Sequence, residues 1–196
     1  MISSPDIREL WTRIEGVLRQ HVPDTARTLA VPATDQEINE LEEAIGLKLP
    51  ADFRESLGIH DGQDDPTRCH SFCSDGVLAG TKKIAETWRM LTEIDGEILQ
   101  KYYSHLEPDG HGAWWNRHWV PFTDAEGDCL CINLNPELRP GAAFGEIVAF
   151  VHDNPHEPGI APSYGVWLQK LAQRLEDGDF EINEYGYLRL NIDLEK

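Results

Sequence analysis

The sequence predicts an α+β fold: a mainly antiparallel sheet, a meander, flanked by N-terminal helices and a C-terminal helix. Apolar residues recur at helical spacing through the first half, while short β-rich runs bounded by Asp, Gly and Pro take over after Trp119. One amphipathic stretch then follows those runs. Helices grouped before a sheet, rather than alternating with strands, argue against a doubly wound parallel sheet.

Ser4 is the expected cap of the first helix and Pro5 its first residue, with Ile7, Leu10, Trp11, Ile14, Val17 and Leu18 as the buried stripe. The helix should end near Pro23. Thr34 and Glu37, three residues apart, spell a capping box for a second helix whose buried face is Ile38, Leu41 and Ile45 and whose stop is Gly46. Leu49-Pro50 leads into a short third helix carrying Phe53 and Leu57, closed by the Asp61-Gly62 turn, and residues 62 to 76 read as a loop. Thr81 is the expected cap of a fourth helix with Ile84, Trp88, Leu91 and Ile98 on one face, interrupted near Asp95-Gly96.

Three runs, Trp119 to Phe122, Cys129 to Leu134 and Ile147 to Val151, are short enough and apolar enough to be strands of a meander. Pro121 cannot donate to a ladder, so its strand is at an edge or ends there. Ser163 opens a last helix with Tyr164, Trp167, Leu168, Leu171 and Leu175 inward, and Gly178 ends it. Tyr187, Arg189 and Asn191 alternate with Leu188, Leu190 and Ile192, which predicts a closing strand.

At roughly 150 residues per domain, 196 residues make one domain, 1–196, with 180–196 as an extension that adds a strand. Acidic residues outnumber basic ones by 35 to 17, for a formal net charge of −18. Such a surface lacks the Lys/Arg footprint a phosphate backbone demands, so nucleic acid is excluded as the expected partner and a basic protein is favoured. Charges scattered over the first twenty residues leave no apolar stretch for a signal peptide, and nothing later is long enough to cross a bilayer, so the expectation is a cytoplasmic protein. Cys69, Cys73, Cys129 and Cys131 are then expected as thiols.

Candidate chemistry is sparse. Cys69, His70, Cys73, Cys129 and Cys131 have the atoms of a zinc site but not the spacing of a ribbon or finger, and Cys129 and Cys131 would share one strand face as small apolar side chains. His60-Asp61 and His152-Asp153, with His156 and Glu157, hold the groups a metal-dependent hydrolase uses to activate water, yet both dipeptides fall in turn-like sequence. No phosphate-cradling or nucleophile-elbow motif is present. Catalytic residues, metal and cofactor are therefore all expected to be none. Trp114-Trp115-Asn116-Arg117-His118-Trp119 stands apart, because exposed indoles beside Arg have the composition of a binding hot spot, and the alternative is that they cover a sheet edge.

Read in order, several of these pieces resemble the SUKH superfamily, the Smi/Knr type of domain named after fungal cell-wall assembly regulators. The carriers are Trp11 with Ile14-Glu15, Pro32-Ala33-Thr34, Leu49-Pro50-Ala51-Asp52-Phe53 and His60-Asp61-Gly62-Gln63 in the first half. Trp88, Trp119 to Phe122, Gly127 to Leu134, Gly145-Glu146-Ile147-Val148 and Ser163 with Trp167-Leu168 follow in the second. The resemblance implies an α+β fold, no enzymatic activity and a role in protein binding, and many bacterial members look like immunity proteins that neutralise toxins. Asn133 stands where the family often has Asp, and the tail from Phe180 is additional.

The leading expectation is thus a non-enzymatic binding domain of the immunity type, docking a basic toxin domain through an acidic surface with aromatic anchors. Asp61, Gln63, Trp114, Trp115, Asp124 and Asp128 are the expected contacts. The alternatives are a regulatory or scaffold module related to cell-wall assembly regulators, and a metal-dependent hydrolase.

Overall fold

Helix α1 runs from Ile7 to His21 and buries Ile7, Leu10, Trp11, Ile14 and Leu18, the expected stripe. Its cap is Asp6, whose carboxylate accepts the Glu9 N–H at 3.0 Å, so Pro5 precedes the cap instead of opening the helix. A carboxylate here answers both the orphan donors and the positive end of the helix dipole. The computed structural model describes residues 5–65, 67, 69–73, 76–95, 114–135, 143–153 and 157–190; Ser4 lies outside them. Pro23 opens a further short helix, α2 (Pro23–Thr28), because Pro suits a first helical position.

Helix α3 (Asp35–Ile45) shows both halves of the Thr34–Glu37 capping box, and Gly46 leaves it at φ +70°, where a side chain would be strained. Glu42 is buried on this helix and accepts bonds from Lys48 Nζ at 2.6 Å, the Leu49 N–H at 3.0 Å and Arg54 Nη1 at 2.7 Å. Burial alone would push its pKa up, but these donors outweigh burial and hold it below the ordinary value. Arg54 sits on α4 (Ala51–Leu57), so Glu42 ties the two helices together.

Asp61-Gly62 does not close α4, which ends at Leu57 with Gly58 as its cap. Nor does Thr81 cap α5 (Thr81–Ile94). The cap position is Gly80, where a Cβ would stand 2.3 Å from the Asp61 carbonyl oxygen, so no capping side chain fits. Asp61 supplies the cap from outside, accepting the Thr81 N–H at 2.6 Å and its hydroxyl at 3.0 Å. Ile84 and Leu91 are buried on this helix, which closes at Ile94; Gly96 and Ile98 are outside the described residues.

The meander is a four-stranded antiparallel sheet in the order β2 (Trp119–Pro121), β4 (Cys129–Asn133), β5 (Ile147–Phe150), β6 (Glu157–Ala161). Pro121 is on the edge strand, as its missing N–H requires. Between β2 and β4, Thr123–Asp124 forms β3 and pairs with β1 (Val77–Leu78) in a separate two-stranded ladder. Three of these strands are too short or too rich in Gly and Pro to announce themselves: β1, β3 and β6.

Side chains alternate across the sheet. Val120, Leu130, Ile132 and Ile147 join the main core with residues from α1, α3, α4 and the last helix, α6 (Tyr164–Glu176). Trp119, Cys129, Cys131, Val148 and Phe150 form a second cluster on the opposite face, with Leu91 and Trp115. Ser163 caps α6 through the Val166 N–H, and Gly178 follows at φ +72°. The chain closes with a hairpin, β7 (Phe180–Ile182) against β8 (Leu188–Leu190), in which Leu188 and Leu190 are buried and Arg189 is exposed.

Candidate functional site

The expected contact residues fall into two groups. The first lies around the start of α5. Asp61 caps that helix, and Lys83 Nζ reaches Asp124 Oδ2 at 3.0 Å. Gln63 is bound at both ends of its amide: Nε2 donates to Thr28 Oγ1 at 2.8 Å and to the His70 carbonyl at 2.9 Å, while Oε1 accepts the Leu78 N–H at 3.0 Å.

Next to them, His60 sits between the Ala30 carbonyl and Glu15 Oε1, at 3.0 and 2.9 Å, with its ring edge-on to Trp11. Gly62 has φ +72°, and a Cβ there would meet the Gly80 nitrogen at 2.4 Å. His60-Asp61-Gly62-Gln63 is therefore a clasp that fastens α1, the Thr28–Ala30 segment, His70, strand β1 and α5 to one another.

The second group lies at the hairpin tips beyond the other sheet face. Trp114 donates its indole N–H to the His152 carbonyl at 2.7 Å and packs edge-on against Phe150. The N–H and Nδ1 of His152 both reach Asp128 Oδ1, at 2.9 and 2.7 Å. That bond, reinforced by the charges of Asp128 and Asp153, raises the His152 pKa above its ordinary value. Trp114 and Asp128 are thus joined through a residue not expected among the contacts.

Trp115 is only 2% exposed. Its ring lies edge-on to Trp119 and Phe150, and its N–H donates to Thr92 Oγ1 at 3.1 Å. Its N–H on the backbone also reaches Asp95, whose carboxyl burial pushes up. The structure places this indole under the surface, as the cover of a sheet face; Trp114 keeps part of its ring at the surface.

The groups proposed for metal chemistry stay apart. His60 and Asp61 are engaged at the clasp, and His152 by Asp128; His156 and the side chain of Glu157 are outside the described set. Among the described residues no three His, Cys, Asp or Glu side chains gather as metal ligands would. Cys73 belongs to the main core, Cys129 and Cys131 to the second cluster with their sulfurs 3.6 Å apart, and Cys69 is exposed. Burial raises the Cys131 pKa well above its ordinary value, which favours the thiol over the thiolate a metal needs.

Two features escaped the sequence. Asp65, 8% exposed, gathers the N–H and hydroxyl of Thr67 and the N–H and Nδ1 of His70, and those bonds hold its pKa down against burial. Asn133 donates Nδ2 to Glu146 Oε1 at 3.2 Å, both residues being buried. An Asp there would set two carboxylates together in a dry site, so Asn suits this chain. Val31, Phe144 and Tyr185, exposed by 81%, 61% and 73%, are the large side chains most open to a partner, and only Tyr185 stands in a turn whose Tyr-Gly-Tyr sequence offered a signal.

Among the described residues no helix is long and apolar enough to cross a membrane. In sequence the chain is 27% identical to a cell wall biosynthesis/cell cycle regulator of Schizosaccharomyces pombe, with 92% of this chain and 38% of that protein covered. A KNR4/SMI1 homolog of Yarrowia lipolytica is 35% identical, covering 92% of this chain and 32% of its own length. The cell wall assembly regulator SMI1 of Saccharomyces cerevisiae is 23% identical over 87% of this chain and 40% of its own. The chain therefore spans between 32% and 40% of the length of these relatives. The sequence profile of the SMI1 / KNR4 family (SUKH-1) matches residues 32–170, and the chain belongs to that family.

Proposed function

We propose that the chain is a regulatory domain that acts by binding another protein, without catalysis, in the manner of a module of a cell-wall assembly regulator. The observation that carries this reading is the match, over about nine-tenths of the chain, to proteins named as regulators of wall assembly. Those relatives favour the regulatory role over toxin neutralisation. The site geometry supports it as well: His60, Asp61 and His152, which suggested hydrolysis, each hold segments together, and among the described residues no three possible ligands gather as a metal site would need. With a net charge of −18, the surface steers basic partners, and four free thiols suit a reducing compartment such as the cytoplasm.

The test is capture of endogenous partners by the full chain at low and at physiological ionic strength, followed by cross-linking. Several partners, released as salt rises, are the expected result. A single partner held in fixed stoichiometry would restore the immunity reading. Turnover of a small compound, abolished by one polar substitution, would overturn the non-enzymatic part.

A further inference from the structure

The closing hairpin is a sheet by itself. Among the described residues neither β7 nor β8 pairs with a third strand. One side of it is anchored: Leu188 and Leu190 are 5% exposed in the main core, Phe180 lies edge-on to His21, and Tyr187 lies edge-on to His70. The turn is fixed as well, because Asn183 Oδ1 accepts the N–H groups of Tyr185 and Tyr187, at 2.9 and 3.0 Å.

This anchored base presents exposed apolar and acidic side chains together. Ile182 is 43% exposed and Tyr185 73%, with Tyr185 stacked on Tyr187. Glu181 and Glu184 are exposed beside them, and Asp177 lies at the approach to the hairpin. Arg189, the hairpin's cation, lies directly across from Glu181 in the ladder. An open strand edge offers main-chain donors and acceptors to another strand, and proteins ordinarily blunt such edges.

We propose that the β7 edge is a docking site for an extended, basic segment of a partner protein, one that alternates Arg or Lys with aliphatic residues. The segment pairs along Phe180–Ile182 as a third strand. Its aliphatic side chains cover Ile182, and its cations meet Glu181, Glu184 and the Tyr185 ring face. A second copy of this chain is the poorer occupant, since each copy carries −18 and two such hairpins would bring like charges together. The proposal rests on the reading of the chain as a protein-binding domain and names its surface.

The probe is a labelled synthetic peptide of alternating Arg and Val, compared with an Arg and Gly peptide of equal charge, each titrated against the intact chain by fluorescence anisotropy. Backbone amide shifts locate the contact. The Arg–Val peptide is expected to bind roughly tenfold tighter, since it alone favours a strand, with shifts concentrated at residues 180–185. Tyr185→Ala should weaken it roughly two- to fivefold, the size of one exposed cation–ring contact, and Glu181→Gln with Glu184→Gln should flatten its salt dependence. Equal binding of both peptides, shifts away from the hairpin, or dimerisation of the free chain that Tyr185→Ala abolishes would overturn the proposal. Endogenous partners captured equally by the unaltered chain and by a variant combining Glu181→Gln, Glu184→Gln and Tyr185→Ala would also overturn it while leaving the protein-binding reading in place; no captured partner in either form would overturn that reading itself.

Discussion

On one face of the four-stranded sheet, Val120, Leu130, Ile132 and Ile147 share a core with helices whose apolar stripes are regular. On the other, Trp119, Cys129, Cys131, Val148 and Phe150 are covered by Leu91 of α5 and by indoles of the irregular 114–118 segment. Both faces are dry, yet they are closed differently. A helix commits its buried side chains by its own period and supplies its own backbone bonds. An irregular cover has no such ladder and is pinned through its side chains, as Trp114 is to the His152 carbonyl and Trp115 to Thr92, while Trp88 of α5 donates to the Arg117 carbonyl of that cover. The helical face is therefore expected to be the mechanical base of the molecule, and the indole face the side more readily opened.

The largest expected effect tests the base. Phe122 is 1% exposed and meets the rings of Phe53, Tyr164 and Trp167, at 6.0, 5.4 and 4.9 Å. Phe122→Ala should cost about 3–5 kcal/mol in urea unfolding, through lost transfer energy and the cavity left behind. A loss under about 1 kcal/mol would mean that this face is not the base. On the indole face, Trp115→Phe keeps a ring but loses the bond to Thr92, and about 1–2 kcal/mol is expected. Native-state hydrogen exchange sharpens the contrast: amides of 114–118 should open at lower free energy than those of Leu130 and Ile132. Equal protection would erase the distinction.

The same contrast explains what is legible in the sequence. Helices α1, α3 and α6 are readable because their stripes are local, as are the caps of the last two, the Thr34–Glu37 box above all, whereas the α1 cap falls on Asp6 rather than Ser4. The meander and the edge position of Pro121 are readable from period and proline chemistry. The clasp is not, because Asp61 caps a helix twenty residues away and Gln63 reaches Thr28, His70 and Leu78, and no local pattern distinguishes these from ordinary turn residues. Trp114 and Trp115 are adjacent and chemically identical, so only the sheet beneath decides that one is covered and the other half-open.

The helical side carries one visible flaw among the described residues. Thr25 on α2 is 0% exposed and its hydroxyl has no partner. A buried hydroxyl without a bond gives up its hydration for nothing. Thr25→Val keeps the shape and should raise stability by about 1 kcal/mol. A loss of that size would show that the hydroxyl is satisfied after all, and that the helical layer is packed without error.

The smallest effect belongs to the indole side. His152 and Asp128 are exposed, so their pair contributes little to stability, but its pH dependence has a definite sign. The bond to Asp128 raises the imidazole pKa in the folded chain above its ordinary value near 6.5. Stability gained from the pair is then fully present below about pH 6.5 and is lost as pH rises through the folded pKa. The stability difference between the protein and Asp128→Asn should accordingly be greater at pH 6 than at pH 8.5, and nuclear magnetic resonance should show His152 titrating higher in the protein than in the variant. Because Trp114 donates to the His152 carbonyl, its indole resonance should follow the same titration if the cover and the hairpin tips move as one piece. An indole signal that stays flat while His152 titrates would uncouple them, and would leave the indole face held by its buried members, Trp115 and Trp119, alone.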